Sequence, residues 1–473
     1  MPQPLRHTLR TLALGLALPL VLAAESAAQL PRLHLGRRLL LTERAWDEKG
    51  HEAGQAILMP AFQAAVTSFF TGRFADGAKA LDRARFRLLE GREPSDLELG
   101  RMGLEILTLV RFFATYEKGL VAVIDPFYEV EGARADLDAL ELVFVSAKGD
   151  LVLPQRAAET VRWDAPEAGW PEGDHALVLR DEKGREISRI TISMAHELPR
   201  RFERLLRVIE GRSGVAARSL ALGTDNLRRL NGAQAFERHV PALAELEALE
   251  RLAAELEAGT PPCAGEGDWL LDLSATPEKE LPARFYAPAR AREGAEPARP
   301  LVIALHGMGG SEHIFFDASG AGRIVRLARE RGWLLVAPKV IGDSGFVERV
   351  IEAVEELRAV DRSRVFLVGH SMGASRACGA VQRSPQLFRA VALFGGAGRL
   401  KDPLAAKDVA FWVGIGTQDF AYRGAVSFAR TLQKAEHPRV VLQELPGVEH
   451  YTVMQLGLDA AFAFFDAEAK RGG

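Results

Sequence analysis

Six apolar runs rich in Val, Leu and Ile decide what the carboxy-terminal half of this chain can fold into. They read RPLVIALHG, WLLVAPKV, RVFLVGH, AVALFGG, VAFWVGIG and RVVLQELPG, spread between residues 299 and 447. Helical patterns fall between and after them, near residues 320–331, 345–359, 372–384, 422–435 and 452–467. A strand with one face in water alternates polar and apolar residues. These do not alternate, so both faces are buried, which means a mostly parallel sheet covered by helices on each side. The preceding stretch DWLLDLSATPEKELPARFYAPA reads as an antiparallel strand pair leading into that sheet. Residues 268–473 are a suitable length for one α/β domain of this kind.

The front half is organised differently. From Glu43 to Ala114 apolar residues recur every three or four positions, with glycine breaks between segments, so residues 29–118 read as helical. From Gly119 to Met194 the pattern turns strand-like, and HALVLRDEKGREISRITISM reads as two strands around a Glu-Lys-Gly turn. Residues 119–194 are therefore expected to form a small β-sandwich-like domain. Residues 195–258 return to helix, ending in VPALAELEALERLAAELEA, whose leucine stripe reads as packing against its own domain. GTPPCAGEG, residues 259–267, reads as the linker to the hydrophobic sheet.

The amino terminus has the layout of an export signal. Arg6 and Arg10 precede an uncharged run from Thr11 to Ala24, and Ser26-Ala27-Ala28 supplies small residues for cleavage. The run is 14 residues long, too short to cross a bilayer comfortably, although an uncleaved anchor is the alternative. Residues 1–28 are thus expected to be a signal peptide, and the mature protein secreted or periplasmic with no membrane span. Sixty basic and 63 acidic residues give a net charge of -3, and no basic stripe calls for a nucleic-acid partner. Two cysteines, Cys263 and Cys378, do not make a disulfide framework. Cys378 reads as a small apolar residue on a helix, Cys263 falls in the linker, and their pairing is left open.

The chemistry-bearing feature is Gly369-His370-Ser371-Met372-Gly373, set after a buried apolar run and before a helical one. A serine at a strand-to-helix turn is forced into sparsely populated backbone angles. Glycines two residues to either side make room for the turn, and Oγ then stands clear of the sheet. A serine needs a base to become a nucleophile. Two histidines follow it. His437 precedes the last strand and so belongs at the wrong end of the sheet, whereas His450 follows that strand, at the carboxyl end where ligands bind. Among the acids, Asp402 and Asp408 precede the strand VAFWVGIG, Asp459 falls in a helix, and Glu449 is adjacent to His450. Asp419 follows VAFWVGIG directly and is the expected partner of His450, with capping of the next helix as its bland alternative. The loop His306-Gly307-Met308-Gly309-Gly310 follows the first parallel strand and lets backbone approach a substrate. The backbone N–H groups of Met372 and Met308 are the expected oxyanion donors. His306 reads as a structural holder of that loop. Phe315 and Phe316, in SEHIFFDASG, read either as an acyl-pocket lining or as core.

Residues 265–470 resemble an α/β-hydrolase serine esterase of the polyhydroxybutyrate-depolymerase and feruloyl-esterase-like group. The resemblance rests on LHGMGGSE, ERGWLLVAP, VDRSRVFLVGHSMGA, GTQD and GVEH, and it covers under half of the chain. It implies hydrolysis of carboxylic esters by Ser371, His450 and Asp419 without metal or organic cofactor, on a small-molecule or polymer ester. Two rival readings remain. One is a serine peptidase of the prolyl-oligopeptidase-like type, which also sets an accessory β-domain before its hydrolase. The other is a secreted binding or scaffold protein with a vestigial hydrolase domain.

Overall fold

A computed structural model describes residues 31–108, 111–133, 136–228, 241–275, 280–290, 296–340 and 345–471. The expected signal peptide at 1–28 lies outside the described residues. The chain opens with helices α1 (31–49), α2 (His51–Thr71), α3 (Phe74–Glu90) and α4 (Asp96–Met102). Strands β1 (Leu104–Leu107), β2 (Phe112–Ala114), β3 (Gly119–Pro126), β4 (Glu141–Val145), β5 (Val152–Arg156), β6 (Thr160–Asp164), β7 (Gly173–Arg180) and β8 (Glu186–Ala195) follow. Helices α5 (Leu198–Ile209), α6 (Val215–Arg228) and α7 (Ala242–Ala258) complete the front half.

The second half alternates strand and helix. Its elements are β9 (Gly267–Asp272), β10 (Pro282–Ala287), β11 (Arg299–Leu305), α8 (Ile314–Asp317), α9 (Ser319–Arg331), β12 (Leu334–Pro338), α10 (Phe346–Glu355) and β13 (Val360–His370). Then come α11 (Met372–Arg383), β14 (Ala390–Phe394), β15 (Ala410–Gly416), α12 (Tyr422–Lys434), β16 (Val440–Leu445) and α13 (Val453–Lys470). Eight strands form one sheet in the order β16-β15-β14-β13-β11-β12-β10-β9. The pairs from β12 through β11 to β16 are parallel, and β9 and β10 run antiparallel at one edge. This is the α/β-hydrolase fold.

Alternate residues of the parallel strands enter two separate cores. Leu301, Ile303, Leu367 and Leu393 face one side, with α10, α11 and α12. Val302, Ala304, Phe366 and Phe394 face the other, with α9 and α13. That is why the first five runs carry no polar alternation; β16, at the sheet edge, is only partly buried, and its run holds Gln443 and Glu444. The strand order also reverses beside β11, since β12 pairs on one side of it and β13 on the other. At such a switch point the loops leaving the two carboxyl ends diverge and open a crevice. The loops after β11 and β13 carry Met308 and Ser371.

In the front half, β1, β3 and β6 form a three-stranded sheet, and β2, β8, β7, β4 and β5 a five-stranded one. Both contribute to one core around Phe144, Trp163 and Trp170, so the region is a small sandwich. β7 and β8 pair as the expected hairpin. One reading is corrected: residues 29–118 are not all helical, because β1 and β2 lie inside them. LEIL and FFA are too short for their periodicity to separate strand from helix.

The stretch 259–267 connects the halves but is not a free tether. Cys263 is fully buried, its N–H donates to Glu255 Oε2 at 2.8 Å, and the buried Arg358 donates to its carbonyl at 3.2 Å. The leucines of α7 share a core with Trp269, Leu271 and Phe285 of the large sheet rather than with their own region alone. Cys263 and Cys378 are both buried free thiols. Among the described residues no helix is long and apolar enough to cross a membrane.

The amino-terminal helices also grip the second half. Glu43 on α1 is buried, and its carboxylate accepts the Gly320 N–H at 3.0 Å. Burial pushes its pKa from the ordinary 4.5 up to about 7, although hydrogen bonds from Tyr451 and Gly320 oppose the shift. Between these values the folded chain keeps a proton that the unfolded chain has lost. Glu43 therefore favours folding fully below the ordinary carboxylate pKa, and that contribution is lost as pH rises to about 7. Urea unfolding of the wild type and of Glu43→Gln at pH 5 and pH 7.5 checks this. The wild type should lose about 2 kcal/mol more than the variant across that interval.

Candidate active site at the carboxyl end of the sheet

Ser371 sits between the end of β13 and the start of α11 with φ 56° and ψ -116°, an angle pair that non-glycine residues avoid. Holding it there costs on the order of 1–3 kcal/mol. Its N–H donates to the Phe394 carbonyl on β14 at 2.8 Å, which helps fix the turn. The flanking glycines are required by space. A Cβ on Gly369 would lie 2.6 Å from the Gly373 carbonyl oxygen, and one on Gly373 would overlap the Leu305 carbonyl at the end of β11. Met372 is the first residue of α11, so its N–H has no partner within the helix ladder.

Asp419 lies in the loop after β15, and His450 in the loop after β16. The structure brings them together: His450 Nδ1 is 2.9 Å from Asp419 Oδ1 and 3.0 Å from Oδ2. Both side chains are buried, at 6% and 0% exposure. A carboxylate accepts only, so Nδ1 carries the hydrogen and Nε2 is left with a free lone pair. Asp419 also accepts the Ala421 N–H at 2.8 Å, so the capping alternative is realised alongside the pairing. His437 instead packs before β16, with Nε2 donating to Ala406 O at 2.9 Å. Glu449 turns away from the imidazole and accepts the N–H groups of Tyr451 and Thr452 at 2.7 Å, tying down the start of α13.

The Gly395-Gly396 turn after β14 lies between Ser371 and His450. A Cβ on Gly395 would come within 3.2 Å of His450 Nδ1, and one on Gly396 within 3.4 Å of the Ser371 carbonyl. The loop after β11 closes from the other side, where a Cβ on Gly307 would lie 3.1 Å from Ser371 Cβ. His306 holds this loop as expected: Nδ1–H donates to Gly307 O at 2.8 Å, and Nε2 accepts the Val340 N–H at 2.9 Å. Burial lowers its pKa, which keeps the ring neutral as this bonding requires. Met308 is 62% exposed and shares an open cleft of about 710 Å³ with Ser371 and Met372.

Sequence reasoning passed over two residues here. His370 is buried, and its Nε2–H donates to the His450 carbonyl at 2.9 Å. Burial, reinforced by nearby His450, lowers its pKa to about 4, so it remains a neutral brace. Phe420 places its ring 4.2 Å from that of His450. Each is adjacent in sequence to an expected residue, which is the only signal that marks them. Phe315 and Phe316 resolve as core, with 1% and 7% exposure, and do not line the cleft.

No family model matches this chain, and comparison with curated proteins finds no match. Solved structures similar to it include an S-formylglutathione hydrolase from Staphylococcus aureus, at 14% identity and TM-score 0.36, covering 42% of this chain and 98% of that one. A feruloyl esterase module from Clostridium thermocellum is similar at 14% identity and TM-score 0.37, covering 44% and 90%. A thermostable esterase is similar at 14% identity and TM-score 0.38, covering 76% and 98%. Strand order and parallel pairing, not these likenesses, define the fold.

The Gly373 contact gives a sharp expectation. Gly373→Ala should lower stability by about 3 kcal/mol or more, because backbone must move to admit the methyl group. Thermal unfolding checks it, with Gly424→Ala as a control, since a Cβ there meets nothing within 4 Å.

Proposed function

We propose that residues 268–473 form a serine hydrolase that cleaves carboxylic esters through an acyl-enzyme on Ser371. The observation that carries this reading is the buried Asp419–His450 pair at the same sheet rim as the strained Ser371 turn. In this reading, His450 Nε2 takes the Ser371 proton as Oγ attacks the ester carbonyl carbon. Met372 N–H and Met308 N–H donate to the resulting oxyanion, each contributing about 3 kcal/mol to the transition state. Breaking the carbonyl carbon–alkoxy bond releases the alcohol, which receives its proton from His450. Water that His450 deprotonates then attacks the acyl carbon, releasing the acid and restoring Ser371. Asp419 holds the productive tautomer and stabilises the imidazolium.

The peptidase reading drew on an accessory β-domain set before the hydrolase, and here that region is two packed sheets of three and five strands, too small for the propeller of that group. The scaffold reading stays as an outcome of the test. Wild-type protein should label with a fluorophosphonate and hydrolyse p-nitrophenyl acyl esters. Ser371→Ala should lose the label and about 10⁴–10⁶-fold in kcat while melting as the wild type does, and Asp419→Asn should lose about 10⁴-fold. Absence of label on the wild type, or turnover surviving in Ser371→Ala, overturns the assignment.

Export is part of the proposal. The basic, apolar and small-residue order of residues 1–28 supports cleavage after Ala28. Amino-terminal sequencing of protein recovered from a bacterial periplasm should begin at Gln29; an intact Met1 would sink this part alone.

A further inference from the structure

The front half of the chain supplies a wall of the cleft that holds Ser371. Phe70 is the penultimate residue of α2, and it lines this cleft together with Met308, Met372 and Phe420. Among the described residues, eleven large apolar side chains are exposed, and three of them, Phe70 at 51%, Met308 at 62% and Phe420 at 64%, meet here. Scattered exposed apolar residues need no explanation, but a cluster beside a nucleophile does. Phe70 and Phe420 touch edge to face with centroids 6.0 Å apart, and Phe420 continues the contact to the His450 ring. The same cleft is also lined by the glycine-rich turn Gly395–Gly398, which projects little side-chain bulk. No charged residue lines the cleft among the described residues.

Phe70 is held in place from behind. Its neighbour Phe69 packs edge to face on it at 5.4 Å, and the Arg32 guanidinium lies 5.0 Å from the Phe69 ring centroid. Phe69 fills the space over Gly309 that a side chain there would need. Helix α2 itself is fastened along the His450 loop. Gln55 donates to Pro446 O at 2.8 Å, and Thr452 Oγ1 lies 3.6 Å from Met59 Sδ. Gly72, with φ 73°, ends the helix in a left-handed cap just past Phe70. The aromatic ring is thus presented by a docked helix rather than by a free loop.

We propose that this aromatic wall is a specificity subsite for an uncharged planar group of the ester, and that Phe70, from outside the hydrolase domain, determines that preference. The inference rests on the ester-hydrolase reading above. A flat uncharged ring would stack on one of the two perpendicular rings, meet the other at its edge and lose only apolar hydration, while a charged or bulky branched group would find no partner. The planar group could belong to the acyl or to the alcohol side of the ester, and the substrates separate the two.

The test compares kcat/KM on methyl cinnamate, with a planar acyl group, on 2-naphthyl acetate, with a planar alcohol, and on ethyl butyrate, with neither. The wild type should prefer at least one planar ester to ethyl butyrate, and the preferred one names the side that sits on the wall. Phe70→Ala should lower the ratio of that planar ester to ethyl butyrate by about tenfold, expressed mainly in KM. Phe70→Leu, which keeps apolar bulk, should lower the ratio as well, and Phe70→Tyr should keep it within about twofold. Equal losses on all substrates in Phe70→Ala would mean a merely structural role, and an unchanged ratio would remove the subsite; either overturns the proposal. Wild-type fluorophosphonate labelling separates failures. A labelled enzyme without planar preference sinks only this inference, whereas an unlabelled one sinks the hydrolase reading beneath it.

Discussion

A carboxylate buried without a partner costs several kcal/mol, and breaking a buried ion pair or its hydrogen-bonded equivalent typically costs about 3–5 kcal/mol. Asp419 and His450 are both inside the protein, so the loops after β15 and β16 must arrive in one relative position. The sheet provides it. β15 and β16 pair in parallel register up to Gly416 and Leu445, and Gly416, three residues before the acid, leaves no room for a side chain against Val448 O. Glu449 then anchors the far end of the loop through two backbone N–H groups, and His370 grips the His450 carbonyl from β13. The imidazole is therefore oriented by three strands at once. Ser371 reaches the same rim on strain that the close approach of β11, β13 and α11 makes unavoidable.

The same economy of space explains why the site is not confined to one half of the chain. The loop after β11 contains Gly309 at φ 79°, and the volume a side chain would occupy there is filled by Phe69 from α2. The surface of α1 and α2 packs against Tyr451 and Leu456, immediately beyond His450. A carboxy-terminal domain that left these surfaces open would expose apolar area beside Ser371. Here the front half covers part of it and leaves Phe70 facing the cleft.

Much of the carboxy-terminal fold was legible because burial on both faces writes itself into short stretches. Val302 and Ile303 enter opposite cores, so a buried strand needs no distant information to be recognised. The order of Ser371, Asp419 and His450 along those strands was legible for the same reason: every loop that leaves the carboxyl end of a parallel strand emerges at the same rim. The front half was less legible. β1 and β2 hold four and three residues, below the length at which two-residue and 3.6-residue periods diverge. Cys263 looked like linker because proline and glycine surround it, yet Arg358 and Glu255 bury it through contacts 95 and 8 residues away. Phe70 carried no signal at all, since its partner Phe420 lies 350 positions onward and pairing at that separation leaves no local pattern.

The turn from Ser319 to Gly322 shows how far the two halves depend on each other. Four consecutive residues take left-handed angles, with φ of 50°, 75°, 50° and 73°, and two of them are not glycine. Such a conformation costs each non-glycine residue about 1–2 kcal/mol, so it must be held from outside. Arg326 donates to the carbonyls of Gly320 and Ala321, and Glu43 of α1 accepts the Gly320 N–H. The turn opens α9 and leads its regular part into the core that Ile324 and Leu327 share with Val302 and Ala304 of β11 and Phe462 of α13. A carboxylate 277 residues away therefore helps hold the hydrolase sheet's own covering helix in place. Cutting the chain at residues 259–267 would remove that acceptor, uncover the shared core around Leu246 and Trp269, and free Gly309 from Phe69. Composition divides the protein at that stretch; the packing does not.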